Sequence, residues 1–475
     1  MKEITKPKLG AALFISDWFL TTVGIDGSTN EEYAALGRLL DEDVVKIQNT
    51  LRLYFDPVFP GVISTVAEAE AAAKKINEED PDAILIMHVM WGSDYPLIKI
   101  FEECAGYPVL LWYYNPFSKL PGQMTMNDLF RSSGSVGILQ GSAPMSRLGV
   151  DFEFCFGTPD SESLRKTLSD YSRALGLKRD LKSCRIAQIG PRCEYMTGTF
   201  TDEAKLLRAF GAEVVQLPVE RLAKEANSVP EKRIIEFVSG LKQNHRIIDV
   251  DDDSLFAAAK ASLGVEKLVI DEAFDIVSIE DLDSDLHSML RTRPCLWTDE
   301  LTKRGTAVVM ERDTVSGLGM YICSYLLGGP CMYGEIFTSD IEENAILFGH
   351  AGMHNTRLAD GDIKIIKDME YYQADETSGA WEKFNLRPGD VTLVSMYSSS
   401  EGYRIVSFKG HISAGPDRMP MGFPNAYIKC DKDPGYLYKS LVTYGMTQHF
   451  SLCYGDVDER LRIFCKLTGI EYVEL

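Results

Sequence analysis

From Leu9 to about residue 300, short apolar runs alternate with amphipathic stretches, the pattern of strands joined by helices around a parallel sheet. Residues 9–15 (LGAALFI) read as the first strand. Residues 83–90 (AILIMHVM) predict a buried strand, 95–104 a helix and 108–114 (PVLLWYY) the next strand, which together make one strand-helix-strand unit. A second unit opens after Cys184. There RIAQIG predicts a strand ending at Gly190, residues 202–210 a helix begun by Thr201 and Asp202 and stopped by Gly211, and AEVVQLP a further strand. The turn-rich Gly157-Thr158-Pro159-Asp160-Ser161 between the two units marks a domain boundary. The acidic run Asp249, Asp251, Asp252 and Asp253 precedes SLFAAAKASLG and is explained better as a helix N-terminus than as a metal site.

Past residue 300 the texture changes. Helix signals thin out, and β-rich runs such as 390–396 (DVTLVSM) and 403–408 (YRIVSF) predict a mostly antiparallel domain, closed by an amphipathic helix at 456–467. The expected division is an α/β domain over 1–158, a second over 159–325 and a β-rich domain over 326–475.

Composition narrows the function. A hydrophobic share of 45% with 25% charged residues supports a large buried core. The net charge of -21 argues against nucleic acid and against an anionic membrane surface, both of which need clustered Lys and Arg. Residues 9–15 are too short for a membrane span and have no cleavage site behind them. The ten cysteines lack any C-x-x-C pair and read as buried thiols in a reducing, cytoplasmic compartment. A small-molecule partner is expected.

Histidine is scarce, so its clustering carries information. His350 and His354 lie in FGHAGMHN, where two small residues after His350 suit a close approach of backbone to a ligand. Upstream, the apolar strand at 306–310 runs into Glu311-Arg312-Asp313, followed by a helical stretch over 315–327 and Gly328-Gly329-Pro330. The next strand, Cys331-Met332-Tyr333, reaches Glu335, and a turn at 340–344 brings the chain back to His350, which makes Glu335 and His350 candidate neighbours on adjacent strands. His449 falls in an aromatic-rich loop context, GMTQHFSLCYGDV. Singly, each residue has an ordinary explanation: a solvated charge at a strand end, or a satisfied core histidine. Together, two carboxylates and two imidazoles suit Mn²⁺, with Mg²⁺ and Co²⁺ also compatible.

In their order and spacing these residues resemble the fucose/arabinose isomerase superfamily. The features that match are Glu311 with Asp313 two positions on, a helix and GGP turn, then Gly334 and Glu335, a hairpin to His350-Ala351-Gly352, and His449 near the C-terminus. PVLLWYYNPF, SSGSVGILQGSAPMSRLGV and GPRCEYMTGTF are similar to the family's segments in the first two domains. Fucose isomerases carry Cys where Ala351 stands and Asp where Glu335 stands, so the ligand set leans towards the arabinose-isomerase type.

The resemblance implies two Rossmann-like parallel-sheet domains followed by a mostly antiparallel β-barrel domain, in a homohexamer with active sites between subunits. It implies an enzyme that interconverts an aldose and a ketose through an enediol(ate). Glu311 and Glu335 would act as the acid/base pair, and Glu311, Glu335, His350 and His449 would hold the metal, with His350 a ligand or a substrate contact. The sugar is left open between a deoxy sugar, a pentose and one bearing an anionic group. Gln448 is a candidate for a sugar hydroxyl and Arg192 for an anionic substituent, against the ordinary alternatives of a loop amide and a surface salt bridge. The competing readings are a non-catalytic sugar-binding protein and a metal-dependent hydrolase or aldolase.

Overall fold

Apolar runs buried on both faces become central strands of parallel sheets. In the computed structural model, which describes residues 5–25, 31–369 and 379–475, that rule accounts for both α/β portions of the chain. The chain divides into two compact units, Ile4–Arg179 and Asp180–Leu475.

In the first unit the strands are β1 (Lys8–Phe14), β2 (Asp56–Val58), β3 (Val62–Ile63), β4 (Ala83–His88), β5 (Val109–Tyr114) and β6 (Phe152–Gly157). They form a parallel sheet in the order β2-β1-β4-β5-β6, with β3 also beside β1. The fully buried AILIMH of β4 lies at its centre, and the predicted helix follows as Asp94–Glu103.

The second unit begins with another parallel sheet. Its strands are drawn from β7 (Arg185–Ile189), β8 (Glu213–Leu217), β9 (Arg246–Ile248), β10 (Ile276–Ile279) and β11 (Ala307–Val309), in the order β11-β10-β7-β8. The helix expected between β7 and β8 is Glu203–Phe210. Asp202 caps it by accepting from the Lys205 amide, and Gly211 ends it in the left-handed conformation. The acidic run is indeed a helix start: Asp251 accepts from the Ser254 amide at 2.7 Å and opens helix Asp252–Glu272.

β9 leaves this sheet and runs parallel to β14 (Lys364–Lys367), which pairs in turn with β15 (Ala380–Lys383). The remaining strands are β12 (Cys331–Asp340), β13 (Ala345–Gly349), β16 (Gly389–Ser398), β17 (Tyr403–Ile412), β18 (Asn425–Cys430), β19 (His449–Tyr454) and β20 (Glu471–Glu474). Their order is β16-β19-β12-β13-β18-β17-β20, antiparallel except for β20 on β17. β16 also pairs with β17, so the path of bonded strands returns on itself around a core that includes Phe348, Leu393, Phe408 and Leu452.

One expectation changes here. His449 opens β19 instead of lying in a loop. HFSLCY is buried almost throughout between β16 and β12, with even its polar positions His449 and Ser451 enclosed, so its polar residues mark a site and not a solvent-facing edge.

β12 must pass close to β13. A Cβ on Gly334 would lie 2.6 Å from Phe348 Cζ and 2.9 Å from the Gly349 carbonyl oxygen. Gly334→Ala is therefore expected to cost roughly 1–3 kcal/mol, seen as a lower urea midpoint with an unchanged slope. An unaltered midpoint would contradict this packing.

Candidate active site

β11 delivers the chain to Glu311 and Arg312, which both take left-handed backbone angles (φ 57° and 51°) before helix Thr314–Leu327 starts. Two consecutive non-glycine residues in that region cost on the order of 1 kcal/mol each, so something must hold them. The Glu311 amide donates to Asp281 Oδ1 at 2.9 Å and the Arg312 amide to the Ile279 carbonyl at 2.9 Å. Asp281 is anchored by Arg293 (2.9 Å), whose guanidinium also grips Asp368 through two bonds of 2.8 and 3.1 Å. All three side chains are buried. The end of β10 thus fixes the turn that carries Glu311.

Across from Glu311, fully buried His449 presents Nε2 at 3.0 Å from Glu311 Oε2. Its Nδ1–H donates to Asp313 Oδ2 at 2.7 Å, a carboxylate–imidazole bond of the kind that orients metal-binding histidines. Asp313 also caps the helix, accepting from the Ser316 amide (3.0 Å) and hydroxyl (2.7 Å). His350 donates from Nδ1 to the Ala351 carbonyl at 2.8 Å, which leaves Nε2 3.6 Å from Glu311 Oε1. Buried Tyr333 packs at a tilt against both rings, with centroids 4.7 Å from His350 and 4.6 Å from His449.

His354 is buried and donates from Nε2 to the carbonyls of His350 and Ala351. Burial pushes its pKa down to about 3, so it is a neutral brace for the His350 loop. Of the small residues after His350, Gly352 serves packing: its φ is 118°, and a Cβ there would meet Met310 Cγ at 2.6 Å.

Burial alone would raise the pKa of Glu311, but the neighbouring His350 and His449 outweigh it and hold the carboxyl well below its usual range. Burial would likewise lower His449, yet Asp313 and Glu311 lift it to about 9. His350 is raised as well, by Glu311 first and by Glu335 more weakly, against its burial.

These residues fit a metal. Among the described residues, Glu311, His350 and His449 each offer a ligand atom, and those atoms lie within 4.8 Å of one another. Glu311 Oε2 and His449 Nε2 are buried without a hydrogen-bond partner; although 3.0 Å apart, they do not meet as a directed hydrogen bond. Two converging orphan atoms and a third nitrogen, all with their opposite sides braced, form a donor set suited to a borderline divalent ion.

Glu335 stands just outside that cluster. It lies on β12 opposite His449 on one side and Gly349 on the other, so it projects to the same side as His449. Gln448 is exposed; its amide donates to Met196 Sδ at 2.8 Å and accepts from the Thr447 hydroxyl. Arg192 is exposed and lies over the Phe200 ring at 4.7 Å.

The sequence pattern singles out Asp313 by its place after Glu311 but gives it no role. Tyr333, Asp281 and Arg293 go unmarked. Nothing local distinguishes a buried aromatic or a distant ion pair that acts by position. Glu280, beside Asp281, also escapes notice: burial, then the charges of Asp281 and Glu311, push its carboxyl up to about 8.

A carboxylate and two imidazoles converging where parallel strands meet a closed path of antiparallel strands define a candidate metal centre on an α/β scaffold. No protein-family model matches the chain. It is 24% identical to the sulfoquinovose isomerase of Priestia megaterium over 414 residues, covering 86% of this chain and 89% of that protein. The sulfoquinovose isomerase of Alkalicoccus urumqiensis is 24% identical over 400 residues, with 83% and 86% covered. The L-arabinose isomerase of Aeromonas hydrophila subsp. hydrophila is 23% identical over 439 residues, with 86% and 84% covered. Along most of its length the chain is thus similar, at 23 to 24% identity, to sulfoquinovose and L-arabinose isomerases.

Two outcomes follow from the geometry. Asp313→Asn keeps a helix cap but removes the charge behind His449, so divalent-metal affinity should fall about 10- to 100-fold with little change in melting temperature. Unchanged affinity would show that Asp313 is only a cap. In the metal-free protein, His449 is raised from 6.5 to about 9. The stability it contributes is therefore complete below the lower value and lost as pH rises through the upper one. A metal needs the neutral ring, so binding near pH 7 should release a proton and tighten with rising pH. Titration calorimetry in two buffers of different ionisation enthalpy reads that proton, and buffer-independent heats would contradict it.

Proposed function

We propose that the chain is a divalent-metal-dependent aldose–ketose isomerase. The observation that carries this reading is the convergence of Glu311 Oε2, His350 Nε2 and His449 Nε2, two of the three atoms buried without a partner. Glu335 completes the ligand set from the facing strand. Mn²⁺ is the preferred ion, with Mg²⁺ or Co²⁺ as substitutes, and when bound it would place positive charge against two adjacent sugar oxygens.

The residues do the rest. Glu311 is ionised, and Glu335 lies opposite His449 on the β12–β19 pair. One carboxylate takes the proton from C2 while the other delivers a proton to C1, and the enediol(ate) forms between these steps. The braces behind His350 and His449 keep both rings in the required tautomer. Buried Tyr333 contributes bulk that excludes water from the two rings.

The relatives' names make sulfoquinovose and L-arabinose the first candidate substrates. The closed strand path is read as the family's barrel, and the limits 1–158, 159–325 and 326–475 as its three domains, in a homohexamer with sites shared between subunits. No helix among the described residues is long and apolar enough to cross a membrane, and all ten cysteines are buried thiols, in keeping with a cytoplasmic enzyme.

NMR of the Mn²⁺-loaded protein with a panel of aldoses in D₂O tests the reading. A ketose should form with deuterium on the carbon beside the carbonyl. Glu311→Gln and Glu335→Gln should each lower turnover at least about a hundredfold with the far-ultraviolet dichroism unchanged. Normal turnover in either variant would remove that residue from the acid/base pair.

A further inference from the structure

Beyond the carboxyl ends of β7 and β11 lies a cavity of about 280 Å³ whose walls include Arg192, Arg312, Gln188, Thr199, Thr201 and Glu203. Crevices outside the carboxyl ends of parallel strands are where α/β sheets bind ligands, above all where the strand order reverses. β7 occupies that position here, with β8 on one side and β10 on the other.

Neither guanidinium group in this cavity forms a direct ion pair with a described residue, although the charges of Glu203 and Glu280 reach Arg312. Arg312 donates to the amide oxygens of Gln188, at 2.9 Å, and of Gln216, so its hydrogen-bond partners are uncharged. Arg192 rests on the Phe200 ring. Glu203, the acidic group in the wall, accepts from the Gln216 amide.

Two polar atoms of the same cavity, Arg312 Nε and Thr201 Oγ1, are buried without any hydrogen-bond partner. A buried donor is costly to leave unpaired, and two of them in one charged cavity call for an acceptor-rich ligand. The planar fork of arginine suits a tetrahedral oxyanion.

The cavity also borders the metal centre. Arg312 directly follows Glu311, Cys193 in the wall is close enough to Glu311 to feel its charge, and the loop bearing Arg192 reaches Gln448, next to His449, through Met196.

We infer that this cavity is an oxyanion subsite in which Arg192, Arg312 and Thr201 hold a sulfonate or phosphate at the end of the sugar remote from its carbonyl. The sugar to which the anion is attached rests on the isomerase reading; the anion itself does not.

Equilibrium dialysis of the Mn²⁺-loaded protein against sulfoquinovose, glucose 6-phosphate and glucose tests the subsite, because it reads bound sugar whether or not turnover occurs. At least one anionic sugar should bind tenfold or more tightly than glucose, and the tighter of the two identifies sulfonate or phosphate. That preference should fall at least tenfold in Arg192→Met and severalfold in the nearly isosteric Thr201→Val. Equal binding of all three sugars, or a preference that survives both substitutions, overturns the subsite. A preference that behaves as expected without any ketose being formed upholds the subsite and sinks only the isomerase reading.

Discussion

A carboxylate can be buried only where opposite charge or directed donors replace the water it loses, and the region around Glu311 is organised by that demand. Its side chain is mostly enclosed, yet it receives no directed hydrogen bond at Oε2. Compensation comes instead from two imidazoles, each fixed from behind: His449 by Asp313, and His350 by the Ala351 carbonyl. The backbone beneath is held in an unfavourable conformation by Asp281, and Asp281 is held by Arg293, which also binds Asp368. The outermost members of this chain of contacts are left with lone pairs and charges directed at one point.

The architecture explains why such a centre needs two kinds of sheet. Parallel strands β10 and β11 end together and place Asp281 and Glu311 side by side at their carboxyl ends. Antiparallel strands β12 and β19 bring Glu335 and His449 opposite each other, although more than a hundred residues separate them in sequence. Helix Thr314–Leu327 joins the two arrangements, and its cap, Asp313, is also the brace of His449. A side chain that starts a helix and braces His449 ties the position of the candidate metal centre to the packing of that helix.

Much of this was legible in the sequence, because local rules decide much of it. The buried strands at β1, β4, β5 and β7, the Asp202 and Asp251 caps and the stop at Gly211 follow from apolar runs, short polar side chains and glycine. The hairpin from β12 to β13 followed from its turn residues, and Glu311 and the two histidines from scarcity and order. What escaped was whatever depends on contacts distant in sequence. β19 is buried on both faces, and its short His-Phe-Ser-Leu alternation beside Gly and Asp reads as loop. Gly352 proved to be a packing residue against Met310. Arg293 and Tyr333 act through neighbours that no local pattern announces, and Arg192 found an aromatic ring where a salt bridge had been the ordinary expectation.

The central claim is that Glu311, His350 and His449 converge to bind a divalent ion. Diffraction from crystals grown with Mn²⁺, recorded on both sides of the manganese absorption edge, tests it most directly. One dominant anomalous peak per chain is expected, within bonding distance of Glu311 Oε2 and of the Nε2 atoms of His350 and His449. A fully Mn²⁺-equilibrated crystal with no peak there, or with its dominant peak elsewhere, would contradict it.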